Sequence, residues 1–456
     1  METYDAVVIG AGQSGPGVAY HLVATGRRVA VIEADRVGGT CLNRGCRPTK
    51  AMRASAKVAH LARRAADYGI DVPDVSVDFA AVVARKDRLI DAWVDGYTDS
   101  LEHTDGLDLI IGEARFRERT PDGFVIAVGD REVVATDVFL NVGTRAVVPP
   151  IPGLDSVGFL DNDRILHLAE LPEHLVVLGG GYIGLEFGQM FRRFGSRVTL
   201  IERGPRIAAR EDADIADELA RVLADEGVDV RTSTAVERVE PHGDGVRVHV
   251  STGEPIDGSH LLVAIGRAPN TDRLGLDAIG LATDARGLIA TDGVFRTAVD
   301  GVWALGDING RGAFTHTSYQ DSEILIDHLQ GGSRSADDRI TTYAVFTDPP
   351  IGRVGMTERE AAESGRRVRV AMFPMAKLTR AVLDGETDGM IKLIVDADTE
   401  RFVGAATFGL AGDEIVQIVS ALMHADAPYR VLAEMLPIHP TVAEFFPTVL
   451  AGLSDG

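Results

Sequence analysis

A short apolar strand, Ala6-Val7-Val8-Ile9, runs straight into Gly10-Ala11-Gly12-Gln13-Ser14-Gly15. A helical pattern continues to about Thr25, and a second strand, Arg28 to Ile32, ends in Glu33. Alone, G-x-G-x-x-G is weak evidence. Set between two strands and followed by an acid about 20 residues on, it predicts a dinucleotide-binding fold. Gly10, Gly12 and Gly15 let backbone approach a pyrophosphate, the helix N-terminus attracts its charge, and Glu33 can accept from ribose hydroxyls. The unit then recurs. Leu175 to Leu178 leads into Gly179-Gly180-Gly181-Tyr182-Ile183-Gly184, a helix to about Phe194, and the strand Arg197 to Ile201 ending in Glu202. First glycine to acid is 23 residues in both copies. Two intact copies predict two bound dinucleotides. Glu202 favours the free 2′-hydroxyl of NADH, while nearby Arg203 and Arg206 weaken that preference, so both NADH and NADPH stay open.

Between the copies lies Gly38-Gly39-Thr40-Cys41-Leu42-Asn43-Arg44-Gly45-Cys46-Arg47-Pro48-Thr49-Lys50, which holds the only two cysteines of the chain. Two chemistries use such a pair, metal binding or thiol–disulfide exchange. Structural zinc needs four Cys/His ligands, and no second pair stands nearby. A C-x4-C loop is too short to restrain much of the unfolded chain as a structural disulfide. The glycines before Cys41 and Pro48 after Cys46 predict a bend leading into a helix, with Pro48 at its first position. Cys46 then lies near a helix N-terminus, whose partial positive charge favours a thiolate. The reading is a redox-active pair and no resident metal.

Composition narrows the partners. A formal charge of −22 argues against nucleic acid and anionic membranes, which both need clustered positive charge. No basic n-region with a long apolar core opens the sequence, and no run of about 18 apolar residues follows, so the expected location is cytoplasmic. The 456 residues allow several domains. Residues 51–110 read as helices on a polar, acidic surface, and 110–138 as short strands. The strand ends at Val142-Gly143 and Ile265-Gly266 each pass into a proline-bearing crossover, which marks a domain boundary, and Gly143 and Gly266 are counted among the candidate cofactor contacts. Val302 to Ala304 is a further apolar strand, and Asp307 after it can accept a hydrogen bond from a polyol chain. From about 340, short strands and a helix from Asp413 to about His424 form another unit. Near its end stands His439, its backbone fixed by Pro440, with Glu444 five residues on to orient the imidazole. The expected architecture is α/β. A first dinucleotide domain spans 1–148 and returns at 266–338, a second spans 149–265, and an α+β dimerisation domain spans 339–456.

Two dinucleotide folds, a redox cysteine pair after the first and a late His/Glu pair together resemble the class I pyridine-nucleotide–disulfide oxidoreductases. That family includes dihydrolipoamide dehydrogenase, glutathione reductase and mercuric reductase. The resemblance covers essentially the whole chain. It implies FAD on the first fold, NADH or NADPH on the second, and a homodimer formed through the C-terminal domain. It further implies that Cys46 is the thiol beside the flavin and Cys41 the outer thiol that meets substrate, on a segment whose Gly39 and Thr40 also approach the cofactor. Lys50 and Glu186 look like the ion pair near the flavin ring, and Asp307 like the ligand of the ribityl chain. His439, supplied by the partner subunit and held by Glu444, would exchange a proton at Cys41. Arg47 departs from the family's usual aliphatic residue and Thr49 from its usual serine. The stretches Gly306 to Ser318 and Phe346 to Glu358 look closer to the mercuric-reductase-like branch, which includes flavoproteins of resistance to reactive chlorine and copper.

The function expected is an NAD(P)H-dependent flavoenzyme that sends electrons through Cys41 and Cys46 to a disulfide or other thiol-reactive oxidant. The rivals are a Hg(II) or Cu(II) reductase and dihydrolipoamide dehydrogenase. From another class comes a non-catalytic flavoprotein subunit of a larger complex, which would need none of the Cys/Cys/His/Glu set.

Overall fold

Strand β1 (Glu2–Ile9) alternates its side chains between two cores, and the first sheet is built around it. Ala6 and Val8 face one way, onto helix α1 (Gly15–Ala24); Val7 and Ile9 face the other. The computed structural model describes residues 2–455 of the chain. β1 pairs in parallel with β2 (Val29–Glu33). The chain then forms a short helix α2 (Gly39–Asn43), the long helices α3 (Cys46–Arg63) and α4 (Phe79–Glu102), and the strand β3 (Leu107–Ile111), which joins the sheet beside β2. An antiparallel meander, β4 (Ala114–Thr120), β5 (Gly123–Val128) and β6 (Arg131–Leu140), completes the order β3-β2-β1-β6-β5-β4.

The short strand β7 (Thr144–Ala146) leads out of this sheet. The second unit starts at β8 (His174–Leu178) and continues through α5 (Tyr182–Phe194), β9 (Arg197–Ile201), α6 (Ala213–Asp225) and β10 (Asp229–Arg231). A small antiparallel sheet, β11 (Val236–His242), β12 (Gly245–Val250) and β13 (Ile256–Gly258), precedes β14 (His260–Val263), which returns beside β8. Strand β15 (Arg267–Pro269) then pairs with β7, so exit and return of the chain lie side by side. β16 (Val302–Ala304) rejoins the first sheet on the second half of β6, opposite Val138–Leu140, while the first half of β6 serves the meander. Helix α7 (Thr315–Leu329) packs on α1.

The last unit is an antiparallel sheet of β17 (Thr342–Val345), β18 (Ile351–Gly355), β19 (Val368–Pro374), β20 (Met390–Asp396), β21 (Phe402–Phe408) and β22 (Ser454–Asp455). Helices α8 (Glu358–Glu363) and α9 (Thr379–Leu383) are short, and α10 (Gly412–His424) lies across the sheet through Ile415, Val416 and Val419. The architecture is therefore α/β with two parallel nucleotide-type sheets and a C-terminal α+β unit.

Two details differ from the sequence reading. Cys41 sits on a helical turn of its own, and α3 begins at Cys46, with Pro48 in its third position. Proline is tolerated there because the first N–H groups of a helix have no intrahelical acceptor. Nor is α3 only a surface helix. Its Met52 and Ala56 are buried in a core shared with Phe187 and Phe191 of α5 and with Val345, Ile351 and Phe408 of the last sheet.

Charges as well as carbon close these seams. Arg353 of β18 is 1% exposed, and its guanidinium meets Glu211 and, at 3.2 Å, Asp212, just before α6. Tyr343 donates to Glu211 at 2.7 Å. Removing one member of such a buried set strands the others without compensation. Arg353→Met is expected to lose about 3–5 kcal/mol, read as a lowered thermal unfolding midpoint of the holoprotein.

Candidate functional site

The two glycine loops are built alike. Gly10 (φ +105°) and Gly179 (φ +113°) each lie where an added Cβ would strike the backbone of the neighbouring strand end, Asn141 O at 2.3 Å and Ala264 O at 2.5 Å. Gly15 and Gly184 press on the carbonyls of Gly10 and Gly179 in turn. Both acids brace their own loop through backbone amides. Glu33 accepts from Ala11 N at 2.8 Å and Asp35 N at 3.0 Å, and Glu202 from Gly180 N at 2.8 Å and Gly204 N at 2.6 Å. Arg203 is exposed, and Arg206 is drawn aside to Asp217 at 2.8 Å. Gly12 faces the Asn141 side chain, and Gly181 caps α5.

The first loop opens into a cleft of about 520 Å³ at the carboxyl ends of β1, β6 and β16, where parallel sheets of this kind bind ligands. Its walls include Gly10 and Gly12, Glu33, Gly143, Asp307 and both thiols. Gly143 (φ +62°) receives the Asn270 amide on its carbonyl at 3.0 Å, and Gly266 (φ +137°) receives that of Val147 at 3.0 Å. Asp307 accepts from Thr144 Oγ1 at 2.8 Å. Arg267 ties these loops together, donating to Thr144 Oγ1 at 2.8 Å and to Thr40 Oγ1 at 3.2 Å.

The cysteine segment seats directly on the glycine loop. Gly38 N donates to Ala11 O at 2.9 Å, and a Cβ on Gly39 (φ +60°) would lie 2.8 Å from Gly12 Cα. This contact carries α2 and the start of α3 into the cleft wall. Both cysteines are free thiols, Cys41 buried and Cys46 open to the cleft. They share a hydrogen bond, and Thr315 Oγ1 lies 3.0 Å from Cys46 Sγ. Their acidities are split. The Cys41 hydrogen bond brings Cys46 below the ordinary thiol range, to about 6, helped by Thr315 and the Lys50 charge and opposed by burial. Cys41 is pushed up, first by that same hydrogen bond and then by burial, with Thr315 and the Arg47 charge pulling the other way. Cys46 is thus the thiolate and Cys41 the thiol that donates to it.

One turn into α3, Lys50 Nζ meets Glu186 Oε2 at 2.8 Å, and its ammonium sits 4.1 Å from the centre of the Phe346 ring. Glu186 is buried, and its other oxygen accepts from Phe346 N at 2.9 Å. Helix α5 starts in the second glycine loop, yet Tyr182, Ile183 and Glu186 line the first cleft. The two nucleotide regions share this wall. His439 Nδ1 and Glu444 Oε2 lie 2.9 Å apart, with the histidine exposed, but the pair is not part of the cleft that holds the thiols. Within one chain Gly10, Gly12, Glu33, Gly39, Thr40, Cys41, Cys46, Lys50, Gly143, Glu186 and Asp307 line one cleft, whereas Gly15 lies behind its glycine loop and His439 and Glu444 lie outside.

Sequence reasoning missed Thr315, whose distance from Cys46 along the chain leaves no spacing signal. It also missed Phe346, the aromatic lid over Lys50. The departure at Arg47 resolves: its guanidinium lies over Trp93 and Tyr97 of α4.

Comparison with known proteins decides the family. Residues 4–322 match the pyridine nucleotide-disulphide oxidoreductase family and residues 341–450 its dimerisation domain. The chain belongs to this family. It is 38% identical over 449 residues to the probable pyridine nucleotide-disulfide oxidoreductase RclA of Escherichia coli strain K12, covering 97% of this chain and 98% of that protein. It is 33% identical to a mercuric reductase of Streptomyces lividans, covering 99% and 98%. A solved Cu(II) complex of the HOCl-induced flavoprotein disulfide reductase RclA from Escherichia coli superposes with a TM-score of 0.90 at 37% identity, covering 99% of each chain. As a pyridine nucleotide-disulphide oxidoreductase, the protein is an enzyme that uses FAD and NAD(P)H, and it carries the family's dimerisation domain. The residues present fit a flavin dinucleotide: a glycine cradle that any Cβ would fill, an acid beside it, and the split thiol pair on the same cleft.

Because Cys46 is the thiolate, its reactivity persists above about pH 6 and fades as pH falls below that value. Thr315→Val removes a hydrogen bond to the charged sulfur and moves the midpoint upward. Alkylation of the dithiol form by iodoacetamide, followed against pH with peptide mapping of Cys46, checks both statements.

Proposed function

We propose that the protein takes electrons from NAD(P)H and passes them through Cys41 and Cys46 to a disulfide or another thiol-reactive oxidant. The unequal thiol pair in the wall of the nucleotide cleft is the observation that carries this reading. Bound FAD supplies the two-electron exchange with the nicotinamide, which thiols cannot perform themselves. Gly10, Gly12, Gly15, Glu33, Gly39, Thr40, Gly143 and Asp307 hold that cofactor. Lys50, fixed by Glu186, places a cation beside Cys46. Gly179, Gly181, Gly184, Glu202, Arg203 and Gly266 serve the nicotinamide nucleotide, with Glu202 favouring NADH.

Cys41 meets the oxidant. His439 of the partner subunit, oriented by Glu444, takes the Cys41 proton, and the thiolate attacks one sulfur of the disulfide RSSR. A Cys41–SR bond forms, and the first RS⁻ leaves with the proton returned by the histidine. Cys46 then attacks Cys41 Sγ, the second RS⁻ departs, and the Cys41–Cys46 disulfide remains for NAD(P)H to reopen. A homodimer in the cytoplasm suits this scheme. The histidine comes from a second copy, and among the described residues no helix is long and apolar enough to cross a membrane. We assign 1–148 and 266–338 to FAD, 149–265 to NAD(P)H and 339–456 to dimerisation.

A metal-ion oxidant is the second reading. It is favoured by the Cu(II)-bound state of the solved relative and by the softness of an adjacent thiol pair. Hg(II)- or Cu(II)-dependent NAD(P)H oxidation identifies it, and a dihydrolipoamide assay identifies the remaining alternative, a dihydrolipoamide dehydrogenase.

Anaerobic titration with NADH and, separately, NADPH is expected to give a long-wavelength absorbance band from the Cys46 thiolate at the cofactor, with less NADH than NADPH required. Cys41→Ser is expected to keep FAD bound while oxidant turnover falls by a factor of about 10³ or more. Full turnover in that variant would refute the dithiol route. Bleaching of the flavin without the band would mark a plain flavin reductase or a binding subunit.

A further inference from the structure

Helix α3 carries five lysines and arginines, and four of them are engaged by a carboxylate or a carbonyl oxygen. Lys50 meets Glu186, Arg53 and Lys57 meet Asp348, and Arg63 donates to the Arg193 carbonyl. Arg47 is different: among the described residues it has no carboxylate or carbonyl partner. Its guanidinium rests 4.9 Å from the centre of the Trp93 ring and 5.5 Å from that of Tyr97, and donates to the Tyr97 hydroxyl at 3.3 Å. Those rings are 41% and 39% exposed, so the cation lies on an open aromatic shelf.

The placement runs against local preference. Arg47 occupies the first turn of α3, where the helix dipole disfavours a cation, and no acid stands in that turn to offset it. Cys41 and Cys46 line the nucleotide cleft and Arg47 does not, yet its charge reaches Cys41 and favours that thiol's ionisation. The turn of helix bearing Cys41 is held near the shelf, because Leu42 packs against Ile90 and Val94 of α4. Elsewhere the chain repels anions, with a formal charge of −22. A guanidinium stacked on aromatic rings keeps its donors for a planar oxyanion and is held in place without neutralisation.

We propose that Arg47, shelved on Trp93 and Tyr97, is a specificity-determining residue that draws carboxylate-bearing oxidants to Cys41. The inference rests on the dithiol reading above and narrows its substrate class. The cation acts at association, so its removal raises KM for anionic substrates and leaves kcat nearly unchanged.

Two chromogenic disulfides test this on the holoenzyme with NAD(P)H: the dianion 5,5′-dithiobis(2-nitrobenzoate) and the neutral 4,4′-dithiodipyridine. Arg47→Gln is expected to lower kcat/KM for the dianion about tenfold, through KM, and to change the neutral probe less than about twofold. Arg47→Lys should retain most of the preference, and Arg47→Glu should deepen the loss. Independently of any variant, added salt should slow the dianion and spare the neutral probe. Equal loss on both probes, or an unchanged ratio across the charge series, overturns the proposal. Turnover of either probe by Cys41→Ser would instead overturn the dithiol reading, so the two failures are separable.

Discussion

The site depends on one backbone-to-backbone contact. Gly39 meets Gly12 so closely that a single Cβ would stand 2.8 Å from the facing Cα, and Gly38 ties the same segment to Ala11. Through this contact the nucleotide loop and the thiol segment are positioned by each other. The loop places a cofactor, the segment places Cys41 and Cys46, and no flexible side chain intervenes between the two. Side-chain bonds then refine what the backbone has set: Arg267 bridges Thr40 and Thr144, and Lys50 reaches Glu186.

The same economy of elements explains how two nucleotide regions communicate. Helix α5 begins in the second glycine loop and, within its first two turns, presents Glu186 to the first cleft. A two-electron transfer between bound ligands needs short separation, and a shared helix provides it without a moving part. Buried ions fix the third unit against this pair: Arg353 meets Glu211 and Asp212, while Asp348 meets Arg193 of α5. Such pairs add little net stability relative to apolar packing, but they penalise misdocking strongly.

Much of this was legible in the residues. The glycine–acid spacing announced both nucleotide units, because close backbone approach admits so few sequences that it leaves a local signature. The strand Arg197–Ile201 lies where periodicity placed it, and the first helix ends within a residue of expectation. That Cys41 and Cys46 act together was legible from their isolation in one short segment, and the structure sets both on the wall of the same cleft. Thr315, Phe346 and the Trp93–Tyr97 shelf were not, because each meets its partner across a long stretch of chain. The buried half of α3 was also obscured. Its sequence is rich in arginine and lysine, and only the packed structure shows that Met52 and Ala56 point inward while long charged side chains reach outward.

The divided pairing of β6 has a consequence for synthesis. Its last residues, Val138–Leu140, take β16 as their outer neighbour, and β16 is encoded more than 150 residues later. As the chain leaves the ribosome, the first sheet therefore waits with an open edge while the whole second nucleotide unit is made. Asp307, which completes the cleft, also emerges late. Cofactor capture is thus a late event in biogenesis, and the interval before it is when the nascent protein most needs protection from edge-to-edge association.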